Sequence, residues 1–165
     1  MVEQGKDQEA GKMVLAKNRR WTSALEKGIV GLPVDLQLEV MQGPGADCAQ
    51  DIMKLCTKYL GHAPEGIEDL LKGYNLLREA LGLQGKWRLK DGVAMGAFQE
   101  CGCPMVRTGL LKLHPTRCLC THAMLKNLFQ EATGGPVKVE ILDSIARGDQ
   151  VCRFQVTPEN TSGKA

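Results

Sequence analysis

Four of the seven cysteines of this chain lie between residues 101 and 120, in two pairs of the form C-x-C. The pairs are Cys101 with Cys103 and Cys118 with Cys120. A deprotonated thiol is both a metal ligand and a nucleophile. The segment is compatible with a metal site, a reactive thiol, a disulfide knot or a small core that uses cysteine as an apolar residue.

A metal site is the first interpretation. The usual zinc signature is two C-x2-C knuckles, and a single intervening residue is tight for two thiolates on one ion. A helix would place Cys118 and His122 on one face, because they are four residues apart. Thiolates from other elements would complete a site for zinc or an iron–sulfur cluster. The candidate metal ligands are Cys48, Cys101, Cys103, Cys118 and Cys120.

Nucleophilic catalysis is the second interpretation. The sequence "PTRC", residues 115–118, would place Cys118 or Cys120 in the first turn of a helix. Unpaired N–H groups and the helix dipole favour a thiolate there. His122 or His114 would serve as the general base. The candidate catalytic residues are Cys118 and His122.

The composition limits the remaining classes. The chain has 165 residues and a formal net charge of +2, which suits one domain and gives no argument for nucleic-acid or membrane binding. The N-terminal segment lacks the apolar run of a signal peptide. We therefore expect a cytoplasmic protein in which disulfides are disfavoured, and an odd number of cysteines agrees with that.

Helices are predicted in the first half of the chain. Apolar residues recur at helical spacing in residues 13–31, 46–61 and 63–85. Residues 32–45 alternate as in a strand, yet their composition also allows a helix. The "GPG" at 43–45 is expected to break the chain.

The second half is predicted to be β-β-α-β-β. Residues 86–101 form a hairpin about Asp91-Gly92, and residues 116–135 form a helix that ends at two glycines. Residues 136–144 and 149–156 alternate as neighbouring antiparallel strands. The fold class is therefore α+β, a helical layer on an antiparallel sheet of about four strands, in the order α-α-α-β-β-α-β-β.

One domain is expected to span residues 13–156. The polar ends of the chain, residues 1–12 and 157–165, are predicted to be disordered tails.

Residues 118–156 resemble the closing half of the 4-vinyl-reductase-type small-molecule-binding domain and the related L-2-amino-thiazoline-4-carboxylate hydrolase-like proteins. In that pattern a cysteine, here Cys118 or Cys120, precedes an amphipathic helix and a G-x-P-V-x-V strand. The chain then closes on G-D-x-x-C-x-F. The residues that match this closing motif are Gly148, Asp149, Cys152 and Phe154. The resemblance covers about 40 residues, and "CGCP" at 101–104 departs from it.

The resemblance implies a helix-plus-sheet domain, often dimeric, with a pocket for a small apolar or aromatic ligand. Some relatives are thought to bind metal through cysteines, and the hydrolase relatives would open a thiazoline ring. We expect a small-molecule-binding domain whose pocket lies between helices and sheet. The candidate pocket residues are Cys48, Cys101, Cys103, Cys120 and Phe154.

Two other functions stay open. One is a hydrolase of a small cyclic C–N or C–S substrate, with a Cys thiolate or a metal-bound water as nucleophile. The other is a small metal-binding protein.

Overall fold

The computed structural model describes residues 2–159 of the chain, with side chains from residue 11 onward. The protein is α+β, with helices on one antiparallel sheet of four strands, as predicted. The helices are α1 Val2–Val30, α2 Val34–Val40, α3 Gln42–Leu60, α4 Gly66–Ala80, α5 Pro104–Arg107 and α6 Thr116–Thr133. The strands are β1 Lys86–Lys90, β2 Val93–Phe98, β3 Val137–Asp143 and β4 Cys152–Pro158.

The ambiguous segment at residues 32–45 is helical. It contains α2 and the first turn of α3. Contrary to the expectation, the "GPG" at 43–45 lies inside a helix and does not interrupt it. Pro44 is the third residue of α3, where its missing N–H has no intrahelical acceptor to lose. Helix α1 starts at Val2, within the segment that the sequence assigned to a tail. Residues 160–165 of the other predicted tail lie outside the described residues.

The sheet has the strand order β1-β2-β4-β3, and every neighbouring pair is antiparallel. The predicted hairpin joins β1 to β2 through Asp91 and Gly92, whose φ angles are 51° and 76°. Two positive φ angles in a two-residue connection define the type I′ turn that suits the twist of the strands. Strands β3 and β4 are neighbours, as their alternating patterns predicted.

The core lies between the sheet and helices α3, α4 and α6. Its centre is Trp87 on β1, which is 3% exposed. Four aromatic rings surround the indole with centroids 5.4 to 6.3 Å away. These rings belong to Tyr74, Phe98, Phe129 and Phe154. The space between helices and sheet is therefore filled by large side chains in the described part of the chain.

Helices α3 and α6 touch at Gly45. A Cβ atom on this residue would lie 2.4 Å from the Cβ of Ala123 and 2.9 Å from the carbonyl oxygen of Cys120. Such distances are too short for any side chain, so the two helices meet backbone to backbone there. This close approach determines which side chains face each other one turn further along each helix.

One charged pair joins helix α1 to α6. The Nη2 atom of Arg117 on α6 lies 2.6 Å from the Oε1 atom of Glu26, and both side chains are largely buried. Within residues 2–159, none of the helices combines the length and apolar character that crossing a membrane requires.

Candidate functional site

Six of the seven cysteines lie within electrostatic range of at least one other, and all seven carry free thiols. Cys48 comes from α3, while Cys101 and Cys103 lie between β2 and α5. Two more come from the first turns of α6, and one begins β4. The members of this thiol cluster are Cys48, Cys101, Cys103, Cys118, Cys120 and Cys152. Cys56 packs in the core between α3 and α4, as the sequence favoured.

Cys48 and Cys120 form a thiol pair across the α3–α6 contact. A hydrogen bond from Cys120 lowers the pKa of the Cys48 thiol to about 7, against the opposing effects of burial and of Asp47 and Asp51. The same interaction and burial raise the pKa of Cys120, although Arg117 lowers it. The titrations of the two thiols are therefore linked: the pair loses one proton readily, and the remaining thiol holds its proton more tightly. The pair therefore supplies one thiolate near neutral pH.

Cys118 has a different partner. Its Sγ atom lies 2.8 Å from the Oγ atom of Ser144, which is fully buried after β3. Burial raises the pKa of Cys152, and the Ile145 N–H donates to its sulfur at 3.5 Å. Ser144 thus lies between two cysteines of the cluster and connects α6 to the β3–β4 connection. The sequence carried no signal for this serine.

The G-D-x-x-C-x-F motif has a structural role in the same connection. The Asp149 carboxylate accepts a hydrogen bond from the Ser144 N–H at 2.8 Å, and Gly148 has a φ angle of 101° that favours glycine. The sulfur of Cys152 accepts a hydrogen bond from the N–H of Ile145, the first residue of the 3₁₀ turn Ile145–Arg147. The motif therefore fixes the connection that carries Ser144 to Cys118.

A buried guanidinium adjoins the C-x-C segment before α5. Arg78 on α4 is 4% exposed, and its Cζ atom lies 3.8 Å above the centre of the Phe98 ring. Its Nε and Nη2 atoms donate to the carbonyl oxygens of Gly85 and Gln84, at 3.3 and 2.6 Å. A Cβ atom on Gly102, between the two cysteines, would lie 3.4 Å from Nη1. Arg78 therefore places positive charge beside the thiol cluster.

Arg78 was not among the residues predicted from the sequence, although its position on an apolar helix face pointed to a buried charge. It follows Tyr74 by four residues on the apolar face of α4, where a charged residue needs buried partners. Burial lowers the pKa of its guanidinium, and burial likewise raises the pKa of the nearby Cys101 thiol.

The predicted catalytic residues lie in different surroundings. Cys118 contacts Ser144, whereas the Nδ1 atom of His122 is buried and has no hydrogen-bond partner among the described residues. Burial lowers the pKa of His122, so the imidazole favours its neutral form. The ring of His114 lies 2.9 Å from the hydroxyl of Thr116. A catalytic pair of Cys118 and His122 stays a prediction, without a thiol–imidazole contact to support it.

The expected metal centre does not match the arrangement of the side chains. Among the described residues, no three His, Cys, Asp or Glu side chains are placed to hold one metal ion. The thiols divide instead between the Cys48 pair and the Ser144 contacts. The five proposed ligands, Cys48, Cys101, Cys103, Cys118 and Cys120, therefore do not fit zinc or an iron–sulfur cluster in this structure.

The expected pocket between helices and sheet is likewise not visible in the described part. Phe154, proposed as a pocket residue, is buried against Trp87 and Phe98. A surface groove of about 440 Å³ lies between α4 and β1, and a second of about 240 Å³ adjoins α1. Neither groove is lined by a cysteine. Cys48, Cys101, Cys103 and Cys120 are half-buried, so solvent reaches the cluster at the surface.

Comparison with known proteins identifies a family and a fold. A family model described as "Family of unknown function (DUF6144)" matches residues 69–162. No curated protein matches the sequence.

Two solved structures share the fold. The phenol-responsive sensory domain of the transcription activator PoxR, crystallised with phenol, is 13% identical with a TM-score of 0.50, over 88% of this chain and 73% of that chain. Trafficking protein particle complex subunit 3 from Naegleria fowleri, covalently bound to palmitic acid, is 10% identical with a TM-score of 0.58, over 93% and 97%. At these identities the likeness shows the fold alone, and the finer assignment to 4-vinyl-reductase or thiazoline-hydrolase relatives stays a prediction.

Proposed function

We propose that this chain, which belongs to the DUF6144 family of unknown function, is a small-molecule-binding domain whose ligand contacts the thiol cluster. The fold supports a binding role, because similar structures hold phenol in one case and palmitic acid in the other. Both molecules are apolar over most of their surface. An apolar or aromatic small molecule is therefore the ligand class that we propose.

The convergence of half-buried thiols from three elements carries the proposal. Cys48, Cys103 and Cys120 come from α3, from the N-terminal end of α5 and from α6, and the negative charges of the Cys48 and Cys103 thiolates both raise the pKa of Cys120. Sulfur is soft and polarizable and makes favourable contacts with aromatic rings. A patch of thiols at the meeting point of three elements suits an apolar ligand with a polar end, for which Arg78 offers a charge.

The two grooves are the competing locations. The groove between α4 and β1 is lined mainly by polar residues and backbone, among them Asn75, Glu79 and Lys86. Leu83 is the one large apolar side chain in its lining, which is little for a phenol or fatty acid. The groove beside α1 is smaller and contains Glu26 and Lys27. We therefore favour the thiol cluster over either groove.

Binding of phenol and of palmitate to the full chain tests the proposal. Isothermal titration calorimetry should show saturable binding of one of the two, and Cys120→Ala should weaken it several-fold. Gln50→Ala is the matched control, because Gln50 is exposed on α3 two residues beyond Cys48 and therefore faces away from the pair. Equal affinities for the wild type and Cys120→Ala would overturn the location at the cluster.

Hydrolysis of a small cyclic C–N or C–S substrate is the second candidate. One observation favours it: the pKa of Cys48, lowered to about 7 by Cys120, provides a thiolate nucleophile at neutral pH. If Cys48 is the nucleophile, the opening of a thiazoline ring, measured by the release of thiol, should be lost in Cys48→Ala. Release that persists in this variant would exclude Cys48 as the nucleophile.

Self-association is a further part of the proposal. Val14, Trp21 and Leu25 follow one face of α1 and are 59%, 63% and 48% exposed. Exposed large apolar residues in a row mark interaction surfaces. In a two-fold dimer the same stripe would be covered on both copies. We therefore propose a homodimer that packs α1 against α1.

A further inference from the structure

We infer that Cys48 and Cys120 form a redox-active dithiol that closes to a disulfide between α3 and α6. This inference concerns a covalent modification of the protein and does not depend on the identity of any ligand. It concerns two of the seven cysteines, and it predicts that the other five keep free thiols when this bond forms.

The backbone contact at Gly45 provides the geometry. Gly45 packs against Ala123 and the carbonyl group of Cys120 with no room for a side chain, so the two helices approach closely at this point. Cys48 lies three residues after Gly45, and Cys120 lies three residues before Ala123. Residues three apart share a helix face, so both thiols project into the same interhelical space. The opposite pKa shifts of the two thiols agree with this proximity.

A disulfide requires Cα atoms within about 4.4–6.8 Å and Cβ atoms that point toward each other. Small residues at a helix crossing permit this spacing, and both Gly45 and Ala123 are small. The bond would then join two helices that are already in backbone contact at Gly45. Each sulfur can turn toward the other by rotation about its own χ1 angle.

The reaction balances with a low-molecular-weight disulfide, RSSR, as the oxidant. The Cys48 thiolate attacks one sulfur of RSSR, which forms a mixed disulfide and releases one thiolate, RS⁻. Cys120 then loses its proton, and its sulfur attacks the Cys48 sulfur and expels the second RS⁻. The two protein thiols are oxidised by two electrons, and RSSR is reduced to two thiols. Excess thiol reverses both steps.

Cys103 is the competing partner for Cys120. Its thiolate charge influences Cys120, and the residue lies at the N-terminal end of a short helix rather than in the interhelical contact. The α3–α6 contact favours Cys48, because two packed helices hold their side chains in fixed positions. A bond between Cys103 and Cys120 would contradict the pairing of Cys120 with Cys48.

Peptide mapping of the oxidised full chain tests the inference. The protein is incubated with oxidised glutathione and then unfolded in denaturant, the remaining thiols are alkylated, and linked peptides are identified by mass spectrometry. We expect five of the seven cysteines to be alkylated and a single linked pair, Cys48 with Cys120. Either a stable glutathione adduct on Cys48 with Cys120 still alkylated or a Cys103–Cys120 link would overturn the inference.

Two variants add controls. Cys48→Ser should abolish the link, and Cys101→Ser should leave it intact, because Cys101 belongs to the other part of the cluster. Circular dichroism establishes that each variant is folded. If a variant does not fold, the mapping of the wild-type protein still decides the outcome on its own.

Discussion

The Sγ atom of Cys118 lies 2.8 Å from the Oγ atom of Ser144, and this contact joins the first turn of α6 to the connection between β3 and β4. Ser144 has no exposed surface. Its hydroxyl also accepts a hydrogen bond from the Ala146 N–H at 3.1 Å. One buried hydroxyl therefore satisfies groups from two elements that are distant in sequence.

Replacing this hydroxyl should destabilise the protein. Ser144→Ala leaves the Ala146 N–H and the Cys118 thiol without their partner, and a buried unsatisfied group costs about 1–3 kcal/mol. The free energy of unfolding, from urea denaturation followed by circular dichroism, should fall by about that amount. Ser23→Ala is the control, since Ser23 is half-buried beside a surface groove. Equal losses in the two variants would contradict a specific role for the Cys118–Ser144 contact.

Widening the α3–α6 contact should affect stability and thiol chemistry together. In Gly45→Ala the new Cβ would lie 2.4 Å from the Cβ of Ala123, so the helices must separate. Overpacking of this kind costs about 1–3 kcal/mol. The wider gap should also slow disulfide formation between Cys48 and Cys120.

The control for this variant comes from the same helix turn. A Cβ on Gly43 meets nothing within 4 Å, and alanine has the better helix propensity. Gly43→Ala should therefore leave the free energy of unfolding unchanged or raise it slightly. A Gly45→Ala protein as stable as Gly43→Ala would show that the two helices are not in backbone contact.

The alkylation rate of Cys48 should depend on pH around neutrality. Its pKa is lowered to about 7 by the hydrogen bond from Cys120, so the rate should be small at pH below 6, rise through pH 7 and level off above 8. Site-resolved mass spectrometry after brief exposure to iodoacetamide gives the rate at each pH.

Removal of the Cys120 thiol should shift the pH dependence of the Cys48 alkylation rate. In Cys120→Ala the pKa of Cys48 should rise above that of an ordinary thiol, because burial and the nearby Asp47 and Asp51, which all raise it, then act alone. Cys56 provides an internal reference, because burial raises its pKa to about 12 and it should stay unreactive throughout. An unchanged midpoint in Cys120→Ala would contradict the thiol pair.

The oligomeric state tests the exposed stripe on α1. Light scattering coupled to size-exclusion chromatography should give twice the monomer mass for the wild type. Trp21→Glu should give a monomer, because a charge would lie in the covered apolar surface. Trp21→Phe keeps the apolar area and should stay dimeric. A monomeric wild type would contradict the proposed dimer.

Local sequence rules were sufficient for the four strands and for α6, although they did not predict the short helix α5. Asp91-Gly92 can adopt the two positive φ angles of a type I′ turn, and Gly134 ends α6 in the left-handed conformation. Both features depend on residues adjacent in the chain. The sequence left residues 32–45 open between strand and helix, because the apolar residues alternate as in a strand and Pro44 suggested a break. The segment is helical in the structure, where it packs against other helices and where Pro44 lies in the first turn of α3, a position that tolerates proline.

The site was less accessible from the sequence, because it depends on how distant elements cross. The C-x-C spacing identified the residues, but the pairing of Cys48 with Cys120 follows from the missing side chain of Gly45. Cys118 and Cys120 are two residues apart on α6 and therefore point in different directions, one toward Ser144 and the other toward Cys48. The C-x-C spacing alone, which suggests that both thiols bind one ion, does not reveal that they face different partners.

Protection of individual thiols by bound ligand tests the proposed binding site most directly. The full chain is saturated with the probe that binds, phenol or palmitate, and each cysteine is alkylated and quantified by mass spectrometry. We predict that the probe slows alkylation of Cys48, Cys103 and Cys120 several-fold, while labelling of Lys86 in the α4–β1 groove is unchanged. Protection of Lys86 with no protection of these three cysteines would contradict ligand binding at the thiol cluster.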